Sequence, residues 1–405
     1  MKKHLLVVGI IFLFVCMGFQ PAFANDVSIG IVEPQSKDGT FMKTYGGTGD
    51  QYGKFVQQTT DGGYIIVGDK DALVWLFKTD NVGNKVWDKT FTGEGSDRHF
   101  SFCVQQTTDD GYIISGTRYF SQTNEGGAWL IKTNSAGNKQ WDKTFGGWKN
   151  DEARYVQKTN DGGYIITGTI NDRLFLIKTN VNGNLEWDKT YGGTRGYCVQ
   201  QTSDGGYIVT GERDFQICLI KTNSTGNKEW EKIFSSSYTD VGYSVQQTTD
   251  GGYIIVGELD GDIWLMKTDS AGNKIWEKTF GGVSRGECVQ QTSDGGYIII
   301  GWKWSLVVGT EFLLIKTDSS GNKEWDNSYG INKDNFGHCG HQTSDDGYII
   351  IGEAESFGTG FDILLIKTNR VGEIRSKAVT DNILLLRLLE RFPLLWRVVS
   401  RLNLN

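Results

Sequence analysis

The sequence has little proline, little cysteine and no excess of positive charge. Its 405 residues include 3 Pro and 6 Cys, and the formal net charge is −7. Because nucleic-acid-binding domains carry a clustered basic surface, this balance argues against a nucleic-acid partner. So few cysteines in a chain of this length also exclude a disulfide-stapled fold. Glycine and tryptophan are plentiful instead, with 54 and 13 residues, which is typical of many short strands joined by tight turns.

Sustained helical periodicity is also absent before about residue 382, which argues against a helical solenoid. In its place a unit recurs that reads VQQT-x-DGGYII-x-G and, after a variable stretch, L-x-KT-(D/N)-xx-GN-xx-W. Successive tyrosines of the DGGY segment lie 43 to 52 residues apart, at Tyr64, Tyr112, Tyr164, Tyr207, Tyr253, Tyr297 and Tyr348. A period of this length with four strand signals per unit predicts a β-propeller.

Each unit divides into four predicted strands, which we name a to d in chain order. In the first unit these are Phe55 to Thr59, Tyr64 to Gly68, Trp75 to Thr79 and Lys85 to Phe91. The glycines of the DGG turn supply the positive φ that a tight hairpin needs. A tryptophan recurs in strand d, and we expect it to pack between blades: Trp87, Trp141, Trp187, Trp230, Trp276 and Trp325.

The ends of the repeat indicate how the ring closes. After the last strand c, Gly372-Glu373-Ile374 stands where the other units have GN-xx-W, so a strand d is missing. A segment of that type, Phe41 to Gly47, stands before the first unit instead. We therefore expect the N-terminal segment to supply the outer strand of the last blade, which leaves no open sheet edge.

The segment Lys267 to Trp276, which reads KTDSAGNKIW, resembles the tryptophan-docking repeat of quinoprotein-like propellers. The whole unit, with its DGGY turn, is similar to the repeat of exported bacterial and archaeal propeller proteins without assigned activity. The resemblance covers residues 40–374 and implies a fold, not a function, because propellers host many unrelated functions. Some relatives carry an endoglucanase label by similarity, and no residue here supports that activity. The match is to packing positions, so it implies no quinone, and the sequence predicts no cofactor.

The fold class predicted is all-β: a seven-bladed β-propeller of four-stranded blades closed by an N-terminal strand, plus a C-terminal amphipathic helix. The N-terminal segment that precedes the predicted propeller has a different pattern. A positive stretch, Lys2, Lys3 and His4, is followed by an apolar run and then by the small-x-small site Ala22-Phe23-Ala24. This pattern predicts a signal peptide, and hence an exported protein located extracellularly, at the cell surface or in the periplasm. The predicted divisions are 1–24 signal peptide, 25–39 linker, 40–374 propeller and 375–405 tail.

The tail differs in composition from the repeats. From Asn382 to Leu402 it is rich in leucine and carries four arginines, which reads as a basic amphipathic helix. We expect it to lie on an anionic membrane surface or to dock a partner, and the alternative is a helix folded back on the ring.

Two sets of inner residues recur at fixed places in strand a. Four of the five cysteines left after cleavage are equivalent, Cys103, Cys198, Cys288 and Cys339, and we interpret them as small buried side chains without disulfides. The other set spans two adjacent polar positions, and we expect one of the two to face a wet central channel. The first position holds Gln57, Gln105, Gln157, Gln200, Gln246, Gln290 and His341, and the second holds Gln58, Gln106, Lys158, Gln201, Gln247, Gln291 and Gln342.

The connections separate into two faces. The a–b and c–d turns hardly change between units, whereas the d–a and b–c connections vary in length and chemistry, so we expect a binding surface on the variable side. The predicted ligand-binding residues there are Arg98, His99, Arg118, Tyr119, Trp148, Arg213, Trp302 and Trp304. The alternative interpretation is that these side chains pack the longer loops.

No motif specifies a reaction. His338, Cys339 and His341 cannot all face one metal because alternate strand residues point to opposite faces, so no metal site is predicted. The leading interpretation is an exported non-catalytic scaffold that binds a protein or glycan. One alternative is a glycoside-hydrolase-like enzyme that uses carboxylates on the same face, with candidates Asp260, Asp262, Asp334, Glu353 and Glu355. Another is a structural surface-layer component.

Overall fold

The computed structural model describes residues 39–93, 98–120, 125–148, 150–234, 240–282, 284–306, 309–331, 334–356 and 360–374. They form seven antiparallel four-stranded sheets, which are the blades of a β-propeller. The predicted fold class is therefore confirmed for this part of the chain. The predicted signal peptide, most of the linker and the tail with its amphipathic helix lie outside the described residues.

The strands follow the predicted a to d order in every blade. Blade 1 comprises β2 Gln51–Gln58, β3 Tyr64–Lys70, β4 Leu73–Thr79 and β5 Lys85–Phe91. Blade 2 comprises β6 Arg98–Gln106, β7 Tyr112–Phe120, β8 Glu125–Thr133 and β9 Lys139–Phe145. Blade 3 comprises β10 Glu152–Lys158, β11 Tyr164–Ile170, β12 Arg173–Thr179 and β13 Leu185–Thr190. Blade 4 comprises β14 Arg195–Gln201, β15 Tyr207–Arg213, β16 Gln216–Thr222 and β17 Lys228–Phe234.

The remaining blades continue the order, and the last of them takes its outer strand from the N-terminal side. Blade 5 comprises β18 Val241–Gln247, β19 Tyr253–Leu259, β20 Asp262–Thr268 and β21 Lys274–Phe280. Blade 6 comprises β22 Ser284–Gln291, β23 Tyr297–Ser305, β24 Gly309–Thr317 and β25 Lys323–Tyr329. Blade 7 comprises β26 Asn335–Gln342, β27 Tyr348–Ser356, β28 Gly360–Thr368 and β1 Phe41–Tyr45.

Each blade carries a buried lysine in strand c. In blade 4, Lys221 Nζ lies 2.8 Å from Asp204 in the a–b turn and 3.0 Å from Glu229 in strand d. Partial desolvation raises the pKa of Asp204, but the bonds from Lys221 and Thr202 outweigh it and lower the pKa to about 2. The equivalent ion pairs recur in all seven blades. A buried charge needs such a partner, so this pair ties the hairpin turn to the middle of the blade.

Neighbouring blades are joined by the strand d tryptophans, as predicted. Each indole lies against the tyrosine that opens strand b of the next blade, with ring centroids 5.7 to 6.1 Å apart. The same indole covers the glycine of the next c–d turn. In blade 3, for example, Trp187 packs on Tyr207 and Gly226 of blade 4. We call this contact the tryptophan joint.

The ring closes at the joint between blades 7 and 1. Strand β1 pairs antiparallel with β28, from Phe41 opposite Lys367 to Tyr45 opposite Ile363. Phe41 takes the place of the tryptophan, with its ring 6.2 Å from that of Tyr64 and against Gly83. The predicted closure by the N-terminal segment is therefore confirmed.

The tryptophan joint makes a prediction about two glycines. A Cβ added at Gly226 would lie 2.5 Å from the Trp187 ring, whereas a Cβ at Gly205 meets nothing within 4 Å. Both glycines have positive φ, +74° and +83°. Alanine is therefore strained by the backbone at both positions, but only at Gly226 does it also clash with the Trp187 ring. Gly226→Ala should destabilise the protein by about 1–3 kcal/mol more than Gly205→Ala. Urea unfolding followed by tryptophan fluorescence measures this difference, and equal losses would contradict the packing argument.

Candidate functional site

The two faces of the propeller differ as the loops predicted. On one face, the turn face, lie the a–b and c–d turns. On the other, the variable face, blades 1, 3, 4 and 5 have two-residue b–c turns, whereas blades 2, 6 and 7 extend strands b and c to nine residues each. The variable face therefore has three tall hairpins and four low ones.

A β-bulge occurs at the same place in every inner strand. The strand a register slips once against strand b in each blade, which leaves one residue without a pairing partner. A bulge re-aims the side chain that it carries. Here all seven line a central cavity of about 840 Å³. We call them the bulge ring: Lys54, Phe102, Arg154, Tyr197, Tyr243, Glu287 and His338.

Half of the cavity mouth is a stack of arginine and aromatic side chains. The Arg154 guanidinium lies 5.2 Å from the ring centre of Phe102 and 5.0 Å from that of Tyr197. Tyr197 meets Tyr243 edge to face at 5.1 Å, and Arg285 lies 4.0 Å over the Tyr243 ring. Such contacts fix a guanidinium plane while leaving its edge free to bond. The stack therefore presents two oriented arginines to the cavity.

Each of these arginines has one carboxylate close by. Arg154 Nη2 lies 2.6 Å from Glu152, and Arg285 Nε lies 2.8 Å from Glu287. The Nε–H of Arg154 is buried and has no hydrogen-bond acceptor among the described residues. Since a guanidinium carries five donors and the Arg154 side chain is 24% exposed where it lines the cavity, its exposed part keeps capacity for a further anionic group.

The other half of the mouth combines aromatic rings with a charge triad. Trp302 meets Phe336 edge to face at 5.5 Å. Beside them His338 Nε2 lies 2.7 Å from Glu353, and Lys54 Nζ lies 3.9 Å from the same carboxylate. Burial raises the pKa of Glu353, but His338 and Lys54 outweigh burial and lower it. Glu353 is therefore held in its charged form.

Below the bulge ring, the strand a glutamines bind the next blade. Each side-chain oxygen accepts a hydrogen bond from a backbone N–H of the neighbouring strand a, at 2.5 to 2.9 Å. Every member of this ring also lines the central cavity, so the prediction that a polar ring of strand a faces the channel is confirmed. The donors belong to Gln106, Lys158, Gln201, Gln247, Gln291 and Gln342.

His341 completes this ring at the closing joint. Its Nε2 accepts a hydrogen bond of 3.0 Å from the backbone N–H of Gln58. Burial lowers the pKa of His341 to about 4. Its imidazole is therefore neutral at pH 7 and can accept a hydrogen bond.

Five of the eight predicted ligand-binding residues gather at blade 2. Arg98 pairs with Tyr119 and His99 with Arg118 across β6 and β7, and Trp148 bridges to the start of β8 and is 64% exposed. His99 is buried, packs against Trp129 and accepts a bond from the Gly93 N–H at 2.7 Å. His99 therefore holds a loop in place.

The other three predicted residues lie on blades 4 and 6. Arg213 binds Glu231 at 2.8 Å. Trp304 lies on the tall hairpin of blade 6 and is 45% exposed. Trp302 alone of the eight lines the central cavity.

Sequence reasoning missed most of the bulge ring. The signal was present, because the residue three places before the first strand a glutamine differs between most units while its neighbours repeat. Of the five candidate loop acids, only Glu353 lines the cavity. Asp262 and Asp334 instead accept bonds from the backbone N–H groups of Gly282 and Thr310.

Among the described residues, no three His, Cys, Asp or Glu side chains come together as ligands for a metal ion. Within the same ranges there is no helix long and apolar enough to span a membrane.

The comparisons with known proteins support the fold. No protein-family model matches the chain, and no curated protein matches it either. A protein of unknown function from Dyadobacter fermentans is 10% identical with a TM-score of 0.54, covering 82% of this chain and 100% of that one. YCF48, solved bound to D1 peptide, is 11% identical with a TM-score of 0.51, covering 85% and 99%. Sqt1 from Chaetomium thermophilum is 10% identical with a TM-score of 0.50, covering 78% and 82%. At these identities the similarity shows the fold alone.

His341 makes the inner ring sensitive to acid. Because its pKa is lowered in the folded protein, the unfolded chain binds more protons between about pH 6.5 and pH 4, so stability is lost as the pH falls through that window. His341→Gln should match the wild type at pH 7 and retain about 3 kcal/mol more stability near pH 4. Unfolding midpoints measured across this range test it.

The reciprocal variant is the control. Gln290→His places a second histidine at an equivalent position of the inner ring. This variant should lose further stability as the pH falls over the same window. Parallel pH profiles for the wild type and His341→Gln would refute the assignment.

Proposed function

We propose that this protein is an exported, non-catalytic binding protein that takes a polypeptide segment of its partner into the variable-face mouth of the central cavity. The observation that carries this proposal is the bulge ring. The positions around it repeat from blade to blade, whereas the bulge position carries cationic, acidic, aromatic and imidazole side chains. Side chains that differ on a rigid, repeated frame are suited to selecting one ligand.

The chemistry of the mouth favours a segment with carboxylate and apolar side chains. Arg154 is oriented by two aromatic rings and its partly exposed side chain lines the cavity, which suits a bond to a carboxylate. Trp302 and Phe336 lie on the other side of the mouth as an apolar contact. Because these groups are held before binding, little conformational entropy is lost when a ligand arrives.

The rim of the variable face supplies further proposed contacts. Trp148 and Trp304 are large apolar side chains left exposed on blades 2 and 6. These two blades carry tall hairpins and flank blades 7 and 1 in the ring. We assign outer contacts with the partner to Arg98, Arg118, Tyr119, Trp148, Arg213 and Trp304. A propeller of similar fold solved with a bound peptide, YCF48, is consistent with this choice of polypeptide over glycan.

The glycoside-hydrolase alternative receives less support. It needs a carboxylic acid with a raised pKa facing a second carboxylate across the substrate. Glu353 lines the cavity, but its pKa is lowered. Burial raises the pKa of Asp69 to about 6. That carboxylate, however, is buried and accepts bonds from the Ser101 N–H and hydroxyl at 2.7 and 2.8 Å, outside the cavity lining.

Selection from a displayed library of random peptides tests the proposed function on the full chain. We expect enrichment of peptides that combine Asp or Glu with aromatic residues. Arg154→Gln should weaken binding of a selected peptide by about 10- to 100-fold, because it removes the oriented charge. Titration by fluorescence anisotropy measures this change.

Lys323→Gln is the matched control, since it removes the same charge from the exposed pair with Asp326 on the turn-face side of blade 6. It should leave peptide binding unchanged. Equal affinity for Arg154→Gln and the wild type would overturn the proposed site. Binding to a glycan array in place of peptides would favour the glycan interpretation, and polysaccharide hydrolysis abolished by Glu353→Gln would favour the enzyme.

A further inference from the structure

Four equivalent cysteines lie one residue after the bulge ring on the inner strands. All five cysteines of the described region are free thiols. At the equivalent position of the next blade, Cys103 has Tyr155 as its neighbour, and Cys198 has Ser244. Only blades 6 and 7 place two cysteines side by side, Cys288 and Cys339.

The contacts bring these two cysteines close together. Cys288 Sγ lies 3.5 Å from the carbonyl oxygen of Gly340, the residue that follows Cys339, and Cys288 packs against the buried cluster that contains Cys339. The equivalent contacts of Cys103 and Cys198 reach the carbonyls of Val156 and Val245 at 3.5 and 3.6 Å, where no second thiol lies on the next blade. Cysteines at equivalent positions of neighbouring inner strands are placed so that side-chain rotation can bring the two sulfur atoms together.

We propose that Cys288 and Cys339 are an oxidation site, at which a small disulfide compound converts the two thiols into a disulfide that joins the inner strands of blades 6 and 7. Both residues line the central cavity, and Cys288 is partly exposed whereas Cys339 is buried, so a reagent that enters through the variable-face mouth meets Cys288 first. They directly follow Glu287 and His338 of the bulge ring. The cross-link therefore fixes the spacing of two residues in the proposed binding site.

The reaction is thiol–disulfide exchange in two steps. The Cys288 thiolate attacks one sulfur of oxidised glutathione, which forms a mixed disulfide and releases one glutathione thiolate. The Cys339 thiolate then attacks the Cys288 sulfur, forming the Cys288–Cys339 bond and releasing the second glutathione. The two protons lost by the protein thiols end on the two glutathione molecules. The protein is oxidised by two electrons, and the glutathione disulfide is reduced by two.

The surroundings of the two thiols favour this order of attack. The neighbouring Cys339 lowers the pKa of Cys288, whereas burial and the neighbouring Cys288 raise the pKa of Cys339. Because the thiolate is the nucleophile, Cys288 reacts first and Cys339 resolves the mixed disulfide. Cys103 and Cys198 have raised pKa values, chiefly through burial, and no adjacent thiol to resolve them.

Peptide mapping of the full chain after treatment with oxidised glutathione tests the proposal. The folded protein is oxidised, unfolded without reductant, alkylated and digested. We expect one cross-linked pair that joins the peptides of Cys288 and Cys339, two hydrogens lighter than their sum, while Cys103, Cys198 and Cys218 are alkylated. Failure to detect the pair, with both thiols alkylated, overturns the proposal.

Serine variants separate this pair from the other cysteines. Cys288→Ser should abolish the cross-link, and Cys339→Ser should leave a stable glutathione adduct on Cys288. The matched control Cys198→Ser, at the equivalent place on blade 4, should leave the cross-link at the wild-type level. A cross-link that involves Cys198, or one between two molecules, contradicts the assignment. The wild-type map requires no variant and no binding partner, so its result stands whether or not the proposed function holds.

Discussion

The structure depends on the contact between one blade and the next. Each blade is a small sheet whose apolar faces need cover, and only the neighbouring blades supply it. On the outer side a tryptophan covers a tyrosine and a glycine of the next blade. On the inner side a glutamine oxygen accepts a backbone N–H of the next blade. Because the blades form a ring, every blade must make both contacts. The weakest joint therefore limits the stability of the whole ring.

The seventh joint meets this requirement with different residues. Phe41 replaces the tryptophan, and His341 replaces the glutamine. Both substitutes preserve the essential property, an aromatic ring on the outside and a neutral acceptor on the inside. The neutral state of His341 follows from its lowered pKa. The stability of the closing joint therefore depends on pH.

Because the joints use the repeated residues, the bulge position is free to vary. The bulge residues pair with no strand and point into the cavity, so the frame does not dictate their identity. This division explains how one chain can hold Arg154, Tyr197 and Glu287 at equivalent places. It also explains why the candidate site lies inside the mouth, where the frame is rigid, with the rim residues around it.

What could be predicted from the sequence follows the same division. The blade count, the joint tryptophans and the N-terminal closure were predictable because each depends on a residue pattern that recurs in every unit. The bulge ring was not predicted, because its direction depends on a register slip that only strand pairing reveals. The roles of His99 and of the inner glutamines depend on contacts with neighbouring loops and blades. The proximity of Cys288 to Cys339 likewise depends on which two blades are adjacent.

The most direct test of the account is the urea unfolding curve of Phe41→Ala, compared with that of Trp187→Ala at an internal joint. If the ring is held by equivalent joints, both variants unfold in one cooperative transition at a lower urea concentration than the wild type. If Phe41→Ala keeps the wild-type midpoint, β1 is dispensable, and the claim that the closing joint supports the whole ring is wrong.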